Sequence, residues 1–151
     1  MKVLLDTSIL TAALVKVHPA HPVAVRWLQR IRNGDVIGVI NVHALAELYS
    51  NLTRIPFEPR LQANEIEAIY EHDIRGQLEV VSLSGDDYLD VIHHLRQMGL
   101  TGGIIYDALH VFAGIKSGVD QILTFNPKHF RQIYPEFADR VVEPVLEDEA
   151  G

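Results

Sequence analysis

The chain contains no cysteine. That excludes disulfides, thiolate metal sites and cysteine nucleophiles. No apolar run approaches the roughly 20 residues a membrane span needs. A signal peptide is missing as well, because the apolar run after Lys2 is three residues long before Asp6 interrupts it. The expectation is a cytoplasmic protein without a membrane anchor. Basic residues are in deficit: the formal net charge is −7, which argues against broad nucleic-acid binding by a basic surface. It does not exclude a site where acidic residues hold cations, since bound cations reverse the local sign. Part of the excess lies in Glu147-Asp148-Glu149, in a short acidic tail over 147–151. Repeats, low-complexity tracts and long linkers are also lacking, so 1–146 reads as one domain with one core.

Several catalytic signatures are absent too. No G-x-S-x-G elbow exists for a serine nucleophile. Neither G-x-G-x-x-G nor G-x-x-x-x-G-K-[ST] is present to cradle a nucleotide. Ser8 stands two residues after Asp6, so D-x-D phosphotransfer fails. The eight histidines show neither H-x-x-x-H nor H-E-x-x-H spacing for zinc.

What is present is an alternation of short aliphatic runs and longer helical patterns. The runs predict strands at Val3–Leu5, Val36–Ile40, Glu79–Leu83, Gln121–Thr124 and Val141–Val145. They are apolar without strict alternation, as in parallel strands covered on both faces. Helical periodicity covers Ser8–Val17, Pro22–Ile31, Val42–Thr53, Arg60–Ile74, Asp86–Met98 and Ile104–Lys116. Together these predict an α/β fold with a mostly parallel sheet.

Ligands in such sheets bind beyond the carboxyl ends of the strands, so the residues following each strand carry the information. Asp6, ahead of Thr7 and Ser8, follows the first strand. It reads equally as a helix N-cap and as a site residue, with Thr7 and Ser8 able to cap in its place. Glu47 lies with Asn51 on the polar side of its helix, where a solvated glutamate is the ordinary reading, and the small Ala44 and Ala46 suit a face turned to a groove. Asp107 sits in GGIIYDALHVFAGIKSG, a helix apolar almost all round. An acid in a buried helix is rare unless paired, so a functional role is favoured for it. His110, three residues on, reads as a structural or surface histidine within reach of Asp107. Asn126, in TFNPKHF, reads alone as a turn residue. Collected, Asp6, Glu47, Asp107 and Asn126 form an oxygen-ligand set suited to a hard cation such as Mg²⁺ or Mn²⁺.

These segments resemble PIN-domain ribonucleases, and most closely the VapC-type toxins of toxin–antitoxin pairs. The resemblance runs through LLDTSIL, HPVAVRWL, INVHALAELYSNLTRI, YDALHVFAG and TFNPKHF, in the family's order. It implies an α/β/α sandwich and metal-dependent endonucleolytic cleavage of RNA. It further implies Asp6, Glu47 and Asp107 as the invariant acids, and Asn126 at a place where many relatives carry Asp. Thr7 matches a position whose hydroxyl lies near the site. A cognate antitoxin and a homodimer are implied partners, with Trp27, Leu28 and Leu52–Phe57 as candidate apolar surface. Arg54, Lys128, His129 and Arg131 are candidate RNA contacts that read equally as ordinary surface charges. Two other classes stay open: a non-catalytic RNA- or protein-binding module on the same fold, and a metal-dependent phosphatase.

Overall fold

A computed structural model describes residues 1–56 and 60–146. The acidic tail and Phe57 lie outside the described residues. The chain runs β1 (Lys2–Leu5), α1 (Thr7–Leu14), α2 (His21–Arg32), β2 (Ile37–Asn41), α3 (His43–Arg54), α4 (Ala63–Ile69) with a π-helical turn at Tyr70–Ile74, and β3 (Glu79–Val81). It continues through α5 (Gly85–Met98), α6 (Ile104–Lys116), β4 (Gln121–Leu123), α7 (Pro127–Ile133), a 3₁₀ turn at Pro135–Arg140 and β5 (Val141–Val142).

The five strands form one sheet in the order β3-β2-β1-β4-β5, with every pairing parallel. Alternation along β1 builds three layers. Val3 and Leu5 face a core with Ile9, Leu28, Leu48 and Ile66 from the α1–α4 side. Leu4 faces a second core with Val91, Leu109, Val111 and Phe130 from α5, α6 and α7. All three β1 residues are fully buried, which explains a strand read as a continuous apolar run. On β2, Gly38 admits α2 at close range: an added Cβ would stand 2.5 Å from Ile31 Cδ1 and 2.6 Å from Leu78 Cδ2. The fold is therefore the expected α/β/α sandwich.

Boundaries differ where local chemistry is strong. The fourth helix begins at Ala63 and not at Arg60, because Gln62 and Glu65 form a reciprocal capping box. The first helix stops at Leu14, short of Val17. β3 and β5 are shorter than their apolar runs. The helix α7 was not expected from the sequence; Pro127 at its first position makes Asn-Pro a helix start as readily as a turn. Among the described residues no helix is long and apolar enough to cross a membrane. Leu28 and Leu52, candidates for a partner surface, are core residues, and the Arg30 guanidinium lies over the Trp27 ring at 4.4 Å.

Candidate active site

The order 3-2-1-4-5 reverses direction between β1 and β4, and the crevice beyond their carboxyl ends is where open parallel sheets bind ligands. Asp6 sits there, 5 % exposed. Its backbone N–H donates to Leu123 O at 3.1 Å, extending the ladder by one residue. Contrary to the expectation that Thr7 or Ser8 would free its side chain, Asp6 is itself the N-cap of α1. Its Oδ1 accepts from the Ile9 N–H at 3.1 Å and the Ser8 hydroxyl at 2.5 Å; its Oδ2 accepts from the Thr124 hydroxyl at 2.7 Å. Neither of the two readings of Asp6 displaces the other: the carboxylate caps the helix and stands at the crevice. Burial pushes its pKa up, against the pull of Ser8, the His110 charge, Thr124 and Ile9.

Glu47 arrives from α3, in the α1–α4 layer. Its side chain is 28 % exposed and is not free in solvent. One oxygen, Oε1, meets two imidazoles: His43 Nδ1 at 2.6 Å, one helical turn back, and His110 Nε2 at 2.9 Å, from the opposite layer. Burial pushes the Glu47 carboxyl up, but these two histidines outweigh it and leave the pKa below the ordinary value. Ala46 is exposed beside it, whereas Ala44 is buried in the core.

Asp107 comes from the first turn of α6, in the α5–α7 layer. Its pKa is raised, first by burial and then by the charges of Asp6 and Glu47, against opposing His110 and His129. Geometry links the segments: Asp107 lies one helical turn before His110, and His110 Nε2 reaches both Glu47 Oε1 at 2.9 Å and the Oγ1 of Thr7, the neighbour of Asp6, at 3.4 Å. His129 Nδ1 stands 3.8 Å from Asp107 Oδ2.

The remaining candidates are placed less centrally. Thr7 Oγ1 lies 3.4 Å from His110 Nε2. Asn126 is exposed at the start of α7; its side-chain amide pairs with His129 Nδ1 at 2.9 Å, and its backbone N–H donates to Thr124 Oγ1 at 3.0 Å. It bonds to none of the three acids. Arg54 lines an open cavity with Thr11, His18 and Asn51, whereas Arg131 donates to Val141 O and so braces β5.

Sequence reasoning undervalued two histidines. His110 is 2 % exposed and its Nδ1 has no partner among the described residues, so its one strong polar attachment is to Glu47. No local pattern reveals this, because 63 residues separate the pair. His43 did leave a signal, the four-residue spacing from Glu47 on one helix face.

Among the described residues no three His, Asp or Glu side chains stand in a ready ligand arrangement. Asp6 is engaged by hydroxyls and Glu47 by imidazoles. The donor chemistry nonetheless fits a hard divalent cation: three carboxylates, Asp6, Glu47 and Asp107, on segments that meet at the carboxyl edge of a parallel sheet.

A three-layer sandwich on an all-parallel sheet of order 3-2-1-4-5 defines the class of fold. The PIN-domain model matches residues 3–134, and the chain belongs to the PIN-domain family. It is similar to ribonuclease VapC40 of Mycobacterium tuberculosis, 36 % identical over 114 residues that cover 75 % of this chain and 78 % of the relative. Ribonuclease VapC27 of the same species is 35 % identical over 108 residues, covering 72 % and 73 %. The fold also matches a chain in the crystal structure of VapBC2 from Rickettsia felis bound to a DNA fragment from their promoter, with a TM-score of 0.63 at 20 % identity, over 95 % of this chain and 98 % of that one.

Proposed function

We propose that this protein is a divalent-metal-dependent endoribonuclease, the VapC-type toxin of a toxin–antitoxin pair. The observation that carries the reading is the meeting of layers at His110, whose Nε2 reaches Glu47 Oε1 at 2.9 Å and Thr7 Oγ1 at 3.4 Å, with Asp6 next to Thr7 and Asp107 one helical turn before His110. The PIN-domain match and the relatives named as VapC ribonucleases support the choice of RNA over other phosphoesters.

In this reading Asp6, Glu47 and Asp107 hold Mg²⁺ or Mn²⁺, with Asn126 at the margin and Thr7 near by. When bound, such an ion supplies an activated water and neutralises charge on the phosphate under attack. The chain's own residues prepare that arrangement. Thr124 and Ser8 fix the Asp6 carboxylate at the strand end. His110 and His43 hold one Glu47 oxygen and leave the other without a partner among the described residues. His129 offsets the Asp107 charge. Arg54 and Lys128 remain the candidate phosphate contacts.

A cognate antitoxin and a second copy of the chain are the proposed partners, in keeping with the VapBC2 assembly named for the Rickettsia structure. A cytoplasmic location and a single domain over 1–146 belong to the same reading. The latter is supported by the one sheet that both cores share.

The test is cleavage of a mixed RNA by purified protein with Mn²⁺ or Mg²⁺, beside EDTA and Asp107→Asn controls. The expected result is cleavage that both controls abolish. Equal cleavage by the variant would refute the site. Should neither protein cleave, the non-catalytic binding module becomes the better reading.

A further inference from the structure

An open cavity of about 310 Å³ lies immediately beside Glu47, lined by His43, Ala46, Glu47, Ser50 and Tyr106. That size is at the lower end of small-ligand pockets, about 300–1,000 Å³, and suits one planar group better than an extended ligand. Tyr106 is 51 % exposed although it stands near the start of a largely apolar helix whose middle, Ala108–Val111, is buried. Its ring stacks on the His43 imidazole, with centroids 5.3 Å apart and planes at 20°. A lone exposed aromatic needs no explanation. This one is different in three respects: it is stacked on its neighbour, it lines a cavity, and its next residue in sequence is Asp107.

From this we infer that the His43–Tyr106 stack is a nucleobase subsite, taking one unpaired base of the RNA strand next to the phosphate held at the carboxylates. The inference rests on the nuclease reading of the site and adds the substrate contact that the three acids do not supply. Base–aromatic stacking is tolerant of sequence because every base has a π-face. The flat ring pair, with Ala46 on the cavity wall, offers stacking area to any base, so the subsite selects a base over no base. The chain's negative charge makes such a contact useful, since a protein at −7 has few phosphate-binding cations to spare. His43 also joins the subsite to the chemistry, because the ring that carries Tyr106 holds the Glu47 carboxylate at 2.6 Å.

The experiment compares binding of two fluorescent strands, a short mixed-sequence oligoribonucleotide and the same ribose-phosphate chain without bases, with Ca²⁺ present so that the strand stays intact. Wild type should prefer the base-bearing strand by about 5- to 150-fold, the range stacking on one aromatic supports. Tyr106→Ala should lose most of that preference, Tyr106→Leu likewise, and Tyr106→Trp should keep it. Mn²⁺ binding by calorimetry should be the same in all four proteins within about twofold, which a general distortion of α6 would not allow. The inference is overturned if Tyr106→Ala keeps the preference, if it weakens both strands equally, or if wild type shows no preference. Failure of the nuclease reading looks different: wild type shows the Tyr106-dependent preference and cleaves RNA with neither Mn²⁺ nor Mg²⁺.

Discussion

Asp107→Asn should change the sign of its effect on stability when a divalent ion is added. Asp107 is 28 % exposed in its side chain and lies in the field of Asp6 and Glu47. At an effective dielectric near 20, like charges that share a crevice repel by on the order of 1–2 kcal/mol. With partial offset by His110, neutralising Asp107 should gain about 1–2 kcal/mol in metal-free protein. For a chain of this size that raises Tm by about 2–8 °C. Wild type, in turn, should gain about 2.7 kcal/mol from Mn²⁺ at 100 times its dissociation constant, or about 5–11 °C. The variant, short of one ligand, should gain much less, so the two melting curves exchange order between EDTA and Mn²⁺.

The pH dependence follows the same logic. A carboxyl whose folded pKa lies above its unfolded value, about 3.9 for Asp, contributes its full stability below that value and loses it as pH rises through the folded pKa. Asp6 and Asp107 are both raised, so EDTA-treated wild type should lose stability as pH climbs above about 4, and the variant should lose less. Glu47, lowered by its histidines, acts the other way, losing its contribution as pH falls below about 4.3. Scanning calorimetry across pH, in EDTA and in Mn²⁺, reads both effects. A variant that melts below wild type in EDTA, or gains as much from Mn²⁺, would refute the shared crevice.

Other expectations rest on single residues. His110→Ala removes a buried ring that bonds Glu47 and stacks near Phe130 at 6.4 Å; urea melts should show a loss of about 2–4 kcal/mol, and an unchanged midpoint would contradict its role. Thr124→Val takes a 2.7 Å donor from Asp6 and should cost about 1–2 kcal/mol, with weaker Mn²⁺ binding by calorimetry. Gly38→Ala forces a methyl against Ile31 and Leu78. It should cost about 1–3 kcal/mol of stability while leaving Mn²⁺ affinity as in wild type, because Gly38 is near the far end of β2.

What could be read in advance divides along physical lines. Strand positions were legible because a parallel strand buried on both faces must be apolar throughout, as Val3-Leu4-Leu5 is. α6 was legible to the residue, Ile104–Lys116, because glycines bracket a continuous helical pattern. Asp107 stood out as an acid with no partner in its own segment. Glu47 and Asp6 did not stand out to the same degree. A glutamate on a polar helix face reads as solvated until another layer is known to supply His110, and an aspartate before a helix reads as a cap, which Asp6 also is. The hydroxyl of Thr124 bonds Asp6 across 118 residues, and no local pattern carries that distance. Tyr106 escaped for the opposite reason: in an apolar helix an aromatic is expected to be core.

The same long separation sets an order of events during synthesis. β1 is the centre of the sheet, yet its neighbour β4 and the Thr124 hydroxyl come about 118 residues later. At roughly 5–20 residues per second, a ribosome needs about 6–24 s to travel from Asp6 to Thr124. Throughout that interval Oδ2 of the first acid lacks its Thr124 donor, and the third acid, Asp107, is added only near the end. Until Thr124 is added, the nascent chain therefore holds the first acid of the site without the donor that fixes its Oδ2.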